Sequence, residues 1–139
     1  MATVTAAAHK VFGRGFSNEV QMVKLTYDFA NDGGAFADAV KVGTAGGKIL
    51  VLEGTVHVET ACASGGSATM IAGVAGGTTN AWMTTTQGAV ANLVDDYCVQ
   101  NGAGQGIVVQ SGAAIHMDIG TADLTAGKVN LILRYMNID

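Results

Sequence analysis

The feature that limits this chain most is its turn chemistry: twenty glycines and no proline in 139 residues. Glycine reaches positive φ without a steric penalty, so it suits tight turns. Four doublets, Gly33-Gly34, Gly46-Gly47, Gly65-Gly66 and Gly76-Gly77, cut the sequence into short runs. Several of these runs alternate apolar and polar residues with a period of two. That is the pattern of half-buried antiparallel strands, not of helices.

Four runs alternate cleanly. Val23, Leu25, Tyr27 and Phe29 interleave with Lys24, Thr26 and Asp28. Leu50, Leu52, Val56 and Val58 share 50–60 with Glu53, Thr55, His57 and Glu59. Ala113, Ile115, Met117 and Ile119 flank His116 and Asp118. Val129, Leu131, Leu133 and Tyr135 interleave with Lys128, Asn130 and Arg134. Each run turns one face to a core and one to solvent or a partner. Weaker patterns cover 40–44, 67–74 and 107–110, and the threonines of Trp82–Thr86 fit a further strand. The alanine-rich 2–8 and the stretch 88–96 are each compatible with one or two helical turns, and 101–106 reads as a loop. Seven or eight short strands joined by glycine turns predict an all-β domain. The expected form is an antiparallel β-sandwich, jelly-roll-like, with a barrel as the other closure.

The first 16 residues lack strand alternation. They read as an arm ordered by contact with a neighbour, or else as a frayed tail or edge strand. The expected division is an N-terminal arm over 1–18 and one sandwich domain over 19–139. His9, Lys10, Val11, Phe12, Arg14 and Phe16 are the candidate contact residues of that arm. It carries Lys10 and Arg14 and no acid, whereas residues 49–139 carry two bases against seven acids, 2 − 7 = −5.

Charged residues are only 13% of the chain, about half the usual share. So few charges on so small a domain predict that part of its surface is buried against partners. Charges still interrupt every stretch of about 20 residues that could span a bilayer as a helix. The start MATVTAAAHK lacks a signal peptide's order, and no Asn-x-Ser/Thr acceptor occurs, so synthesis in the cytosol is expected. The net charge of −4 and the lack of a basic, aromatic patch argue against a nucleic-acid partner.

Candidate chemistry is thin. His57 shares a strand face with Glu53 and Glu59, and His116 shares one with Asp118. Either pair could contribute to a metal site, but no third ligand is implied, so both read as solvated or interface histidines. Cys62 and Cys98 follow no metal spacing; one disulfide between them is possible, and free thiols are the expected state in a reducing cytosol. Cys98 follows Asp95-Asp96-Tyr97 without a catalytic signature around it, and the serines lie in turns or the tail with no nucleophile elbow. Asp95 and Asp96, near Asn92, lack a calcium-loop pattern. Gly102, Gly104 and Gly106 precede a strand, not a helix, which removes the phosphate-cradle reading. Trp82, Phe36 and the tyrosines are expected as core or interface anchors. No catalytic residue, metal or cofactor is expected.

Residues 49–61 read ILVLEGTVHVETA, residues 65–70 read GGSATM, and residues 123–135 read DLTAGKVNLILRY. This succession of strands and turns resembles the capsid decoration, or cement, proteins of tailed bacteriophages. The resemblance covers roughly 49–135 and leaves 1–48 outside it. It implies a virion structural protein: a β-sandwich homotrimer on the outer capsid surface, bridging neighbouring major capsid protein subunits at local three-fold positions. Its partners would then be itself and the major capsid protein, with no nucleic acid and no membrane. The alternative is a tail-fibre or receptor-binding module that meets host cells or glycans through a loop aromatic such as Trp82. An enzyme or small-ligand barrel is a third reading, and it would need a pocket with converging polar groups.

Overall fold

The structure, a computed structural model, describes residues 3–14 and 19–138. Within these residues the chain runs β1 (Thr3–Phe12), β2 (Gln21–Asp28), a single helical turn α1 (Phe29–Asp32), β3 (Ala39–Ala45) and β4 (Ile49–Ala63). It continues through β5 (Thr69–Val74), β6 (Cys98–Val99), β7 (Ile107–Val109), β8 (Ala114–Gly120) and β9 (Ala126–Asn137). Two sheets face each other. The first has the order β1-β3-β8-β5; the second has the order β2-β9-β4-β6, with β7 also paired to β4. The expected all-β sandwich is the observed fold.

The core lies between the sheets and follows from the alternation. Val40, Val42, Met70, Ala72, Ile115, Met117 and Ile119 point in from the first sheet. Leu25, Tyr27, Ile49, Val51, Val56, Val58, Val129, Leu131, Leu133 and Tyr135 meet them from the second. The Tyr27 hydroxyl donates to the Gly33 carbonyl at 2.6 Å, and burial holds its pKa well above the usual value. Between β5 and β8, residues 78–99 and 101–106 wrap the edges. Met70 and Ala72 donate from the free side of β5 to the Gly88 and Met83 carbonyls at 2.9 and 3.2 Å. The strand expected at Trp82–Thr86 is therefore a single bridge at Met83 in a loop that closes the β5 edge.

Among the described residues all strand pairings are antiparallel except one: β1 runs parallel to β3. A parallel pair needs a crossover connection, and here β2 and α1 supply it by passing through the opposite sheet. Of the readings left open for the N-terminal segment, Thr3–Phe12 forms an edge strand in this chain. Its period of two is hidden in the sequence because the register slips between Thr5 and Lys10, where the strand carries extra residues against Val42. The boundary drawn at residue 18, and Phe16, lie outside the described residues.

Candidate interaction surfaces

Strand β1 ties the two sheets together at one side of the sandwich. Phe12 is buried and packs edge-on against Tyr135, with ring centroids 5.4 Å apart. His9 Nε2 meets Thr44 Oγ1 at 2.9 Å on β3; burial, and then Lys41, hold its pKa below the usual value. Lys10 Nζ donates to the Lys24 carbonyl on β2 at 3.0 Å. The bulge is pinned where Ala7 N–H donates to Asp32 Oδ1 at 2.7 Å, while Asp32 Oδ2 accepts from Asp28 N–H at 2.9 Å. Of the arm candidates, Val11 and Arg14 are exposed, Lys10 is exposed but engaged, and Phe12 belongs to the core.

The outer face of the second sheet divides into an apolar and a polar half. Register puts Val108 beside Leu50 and Leu50 beside Met136. Met22, 67% exposed on β2, lies in the next row beside Arg134. Val20 and Ile138 extend this exposed apolar band at its end. Further along the same strands a polar chain begins. Thr26 Oγ1 donates to Asn130 Oδ1 at 2.8 Å, and Asn130 Nδ2 donates to Glu59 Oε1 and His57 Nδ1, both at 3.4 Å. His57 Nε2 reaches Asp96 Oδ1 at 3.1 Å. Lys128 Nζ lies 2.9 Å from Glu59 Oε2, and this bond lowers the Glu59 pKa and raises that of Lys128.

These contacts fix the roles of several flagged residues. Cys98 stands directly across from His57 in the β4–β6 ladder, the Cys/His juxtaposition a nucleophile would need. Both imidazole nitrogens, however, face Asn130 and Asp96. The two thiols are free; Cys98 is exposed, and burial pushes the Cys62 thiol up to about 11. Asp95 Oδ1 accepts from Ala61 N–H at 2.6 Å, so the Asp95-Asp96 pair fastens the 90–97 loop to β4. No group of three or more metal-ligating side chains is assembled among the described residues. Trp82 is fully buried, with Nε1 donating to the Gly104 carbonyl at 2.9 Å. It is a core anchor, and Phe36, 56% exposed, is a surface aromatic.

On the outer face of the first sheet, His116 Nδ1 and Asp118 Oδ1 lie 3.8 Å apart. Burial holds the His116 pKa down and pushes the Asp118 pKa up. Beside them is a depression of about 280 Å³.

No protein-family model matches the sequence, and no curated protein matches it. Solved structures do match. The chain aligns with one from the capsid of Ralstonia phage GP4 at a TM-score of 0.68 and 13% identity, over 99% of this chain and 99% of that one. It aligns with a chain of the cyanophage Pam1 capsid asymmetric unit at a TM-score of 0.62 and 18% identity, over 91% and 90%. The fold is shared with two phage-capsid chains. Coverage is nearly complete on both sides, so each matched chain is close to this one in length.

Reading the sequence missed three of the surface partners. Asp96 and Asn130 as the neighbours of His57, and Asp32 as the acceptor of the β1 bulge, come from segments distant in sequence. The one signal that could have suggested the first is period two, which places Asn130 on the same outward face as Lys128 and Arg134.

Proposed function

We propose that this chain is a virion structural protein of the capsid decoration, or cement, type. It binds the outer capsid surface as a homotrimer, contacts the major capsid protein and stabilises the shell. The observation that carries this reading is the near full-length fold match to chains of two phage capsids. The exposed apolar band on the second sheet and the low charge content support it, because both suit a molecule whose work is surface burial. The exposed arm residues Lys10, Val11 and Arg14 are proposed shell contacts, with Phe16 beyond them and with His9 and Phe12 holding the strand in place. A protein that binds only the assembled shell stabilises it by mass action. The reading is non-enzymatic, with neither nucleic acid nor membrane as partner. No helix among the described residues is long and apolar enough to cross a membrane.

The test is direct. Light scattering is expected to give a trimer, and adding that trimer to undecorated capsids is expected to raise their melting temperature. A monomer that leaves the capsids unchanged would sink the proposal. The tail-fibre or receptor-binding alternative named loop aromatics such as Trp82 for its contacts, and the buried indole takes Trp82 out of that role, leaving Phe36 as an exposed aromatic.

A further inference from the structure

The outer face of the first sheet holds a feature that none of the contacts above uses. Register places Gly73, His116 and Lys41 in one row across β5, β8 and β3, and Ile71, Asp118 and Ala39 in the next. Gly73 has no side chain, and a Cβ there would run into the backbone of Thr78 and Thr79. The 75–79 turn therefore folds over β5 and walls a depression of about 280 Å³. Ala39, Gly73, Val74 and Thr79 make its small, mostly apolar lining, with His116 and Asp118 at one side. Asp118 also borders a second depression of about 200 Å³, toward Thr69 and Thr85. Asp118 Oδ1 is buried, and no described residue donates a hydrogen bond to it.

A buried carboxylate oxygen without a donor is destabilising. The Thr3 and Thr79 hydroxyls and the His116 ring share the lining but make no hydrogen bond to it, so a ligand that reaches it brings its own donor, and a charged donor would also neutralise the site. We infer that this depression is a seat for one lysine or arginine side chain of a partner protein, with Asp118 as its counter-charge. The aliphatic stem of such a side chain packs on small apolar walls while its head reaches an acid. The volume is below that of pockets built for drug-sized ligands and suits a single side chain. His116, 3.8 Å away, is a weak counter-ion: burial lowers its pKa and outweighs the opposing pull of Asp118, and Lys41 lowers it further. Burial raises the Asp118 pKa, and His116 offsets that only in part. Naming the partner as a shell subunit rests on the decoration reading; the chemistry of the seat does not.

Two measurements separate the two ideas. In the first, wild type, Asp118→Asn and Thr79→Trp are added to undecorated shells. Asp118→Asn keeps the shape and removes the charge, and Thr79→Trp obstructs the mouth from an exposed position. Each is expected to attach about tenfold to a hundredfold more weakly, the range of one charged hydrogen bond, with unchanged circular dichroism. Equal attachment of Asp118→Asn and wild type overturns the inference and leaves the decoration reading standing. If wild type ignores shells, the decoration reading fails and the second measurement alone decides the seat. There, Nα-acetyl-lysine methylamide and its arginine counterpart are titrated against the labelled chain, with the norleucine analogue as the uncharged control. Saturable shifts at the Gly73 and His116 amides are expected for the two cations only, and are lost in Asp118→Asn. Equal shifts with norleucine, shifts that survive in Asp118→Asn, or no shifts at all overturn it.

Discussion

At the scale of single residues, the clearest dependence is between Trp82 and two glycines. Gly54 lies within β4 and Gly104 in a 3-10 turn, and a Cβ on either would run into the indole. Glycine inside a strand normally weakens it, and alanine restores about 0.4–1 kcal/mol where the backbone allows it. Here the obstacle is a rigid ring that is also fixed by its hydrogen bond to Gly104. Overpacking of this kind costs about 1–3 kcal/mol, which exceeds the gain. Gly54→Ala is therefore expected to lower the midpoint of chemical denaturation without changing the slope; an unchanged or raised midpoint would show that the indole can move aside. The same contact explains why the sequence did not reveal where Trp82 sits. Its neighbours are small residues far along the chain, and nothing in a Thr-rich context distinguishes a buried indole from a loop anchor.

Among the elements, β1 separates two effects that a deletion would merge. It supplies Ala6 and Phe12 to the core and presents Val11 outward, with Arg14 exposed just after it. Removing the strand would also uncover the edge of β3, an aggregation hazard. Point changes are cleaner. Phe12→Ala is expected to destabilise the fold by about 3–5 kcal/mol, as for other buried phenylalanines. Val11→Asp, at a site 43% exposed, should stay within about 0.5 kcal/mol of wild type while weakening attachment to shells. Thermal melts and shell sedimentation read the two separately, and a Val11→Asp chain that attaches normally would take β1 out of the contact. The elements that the sequence announced are the four with clear alternation: β2, β4, β8 and β9 appear at 21–28, 49–63, 114–120 and 126–137, although a register slip between Val51 and Glu53 turns Leu50 and Leu52 outward, opposite to the face expected for them with Val56 and Val58. Strand β1 was obscured by its slipped register and by alanines, whose small side chains carry little periodic signal. The helical turns allowed for 2–8 gave way to pairing with β3, because ladder hydrogen bonds outweigh a weak local preference. The polar chain through Asn130 joins three strands and a loop, which no single stretch of sequence can encode.

Over the whole molecule, charge and exposed apolar area are both unevenly distributed. Where β4 begins and β9 ends lie Lys48 and Arg134, with Glu53 across from Arg134 and the apolar band of Val20, Met22, Leu50, Val108 and Met136 beside them. Where β4 ends and β9 begins lie Asp28, Glu59, Asp95, Asp96 and Asp123, with Lys128 paired to Glu59. One end is thus suited to burial and the other to solvent. Met22→Lys, at an exposed position on that band, is expected to keep the fold and to reduce self-association, seen as a lower light-scattering mass at a given concentration. A mass identical to wild type at every concentration would remove the band from the contact between copies. The parallel pairing of β1 with β3 carries a further consequence, for the order of events in time. Strand β1 is made before β2 and α1, yet β3, its ladder partner among the described residues, comes after both. Contacts that close a long stretch of chain form late, because the loop must be ordered before it is rewarded. Strand β1 is therefore expected to be among the last to lock, and a growing chain passes through a stage in which this strand is still unclaimed.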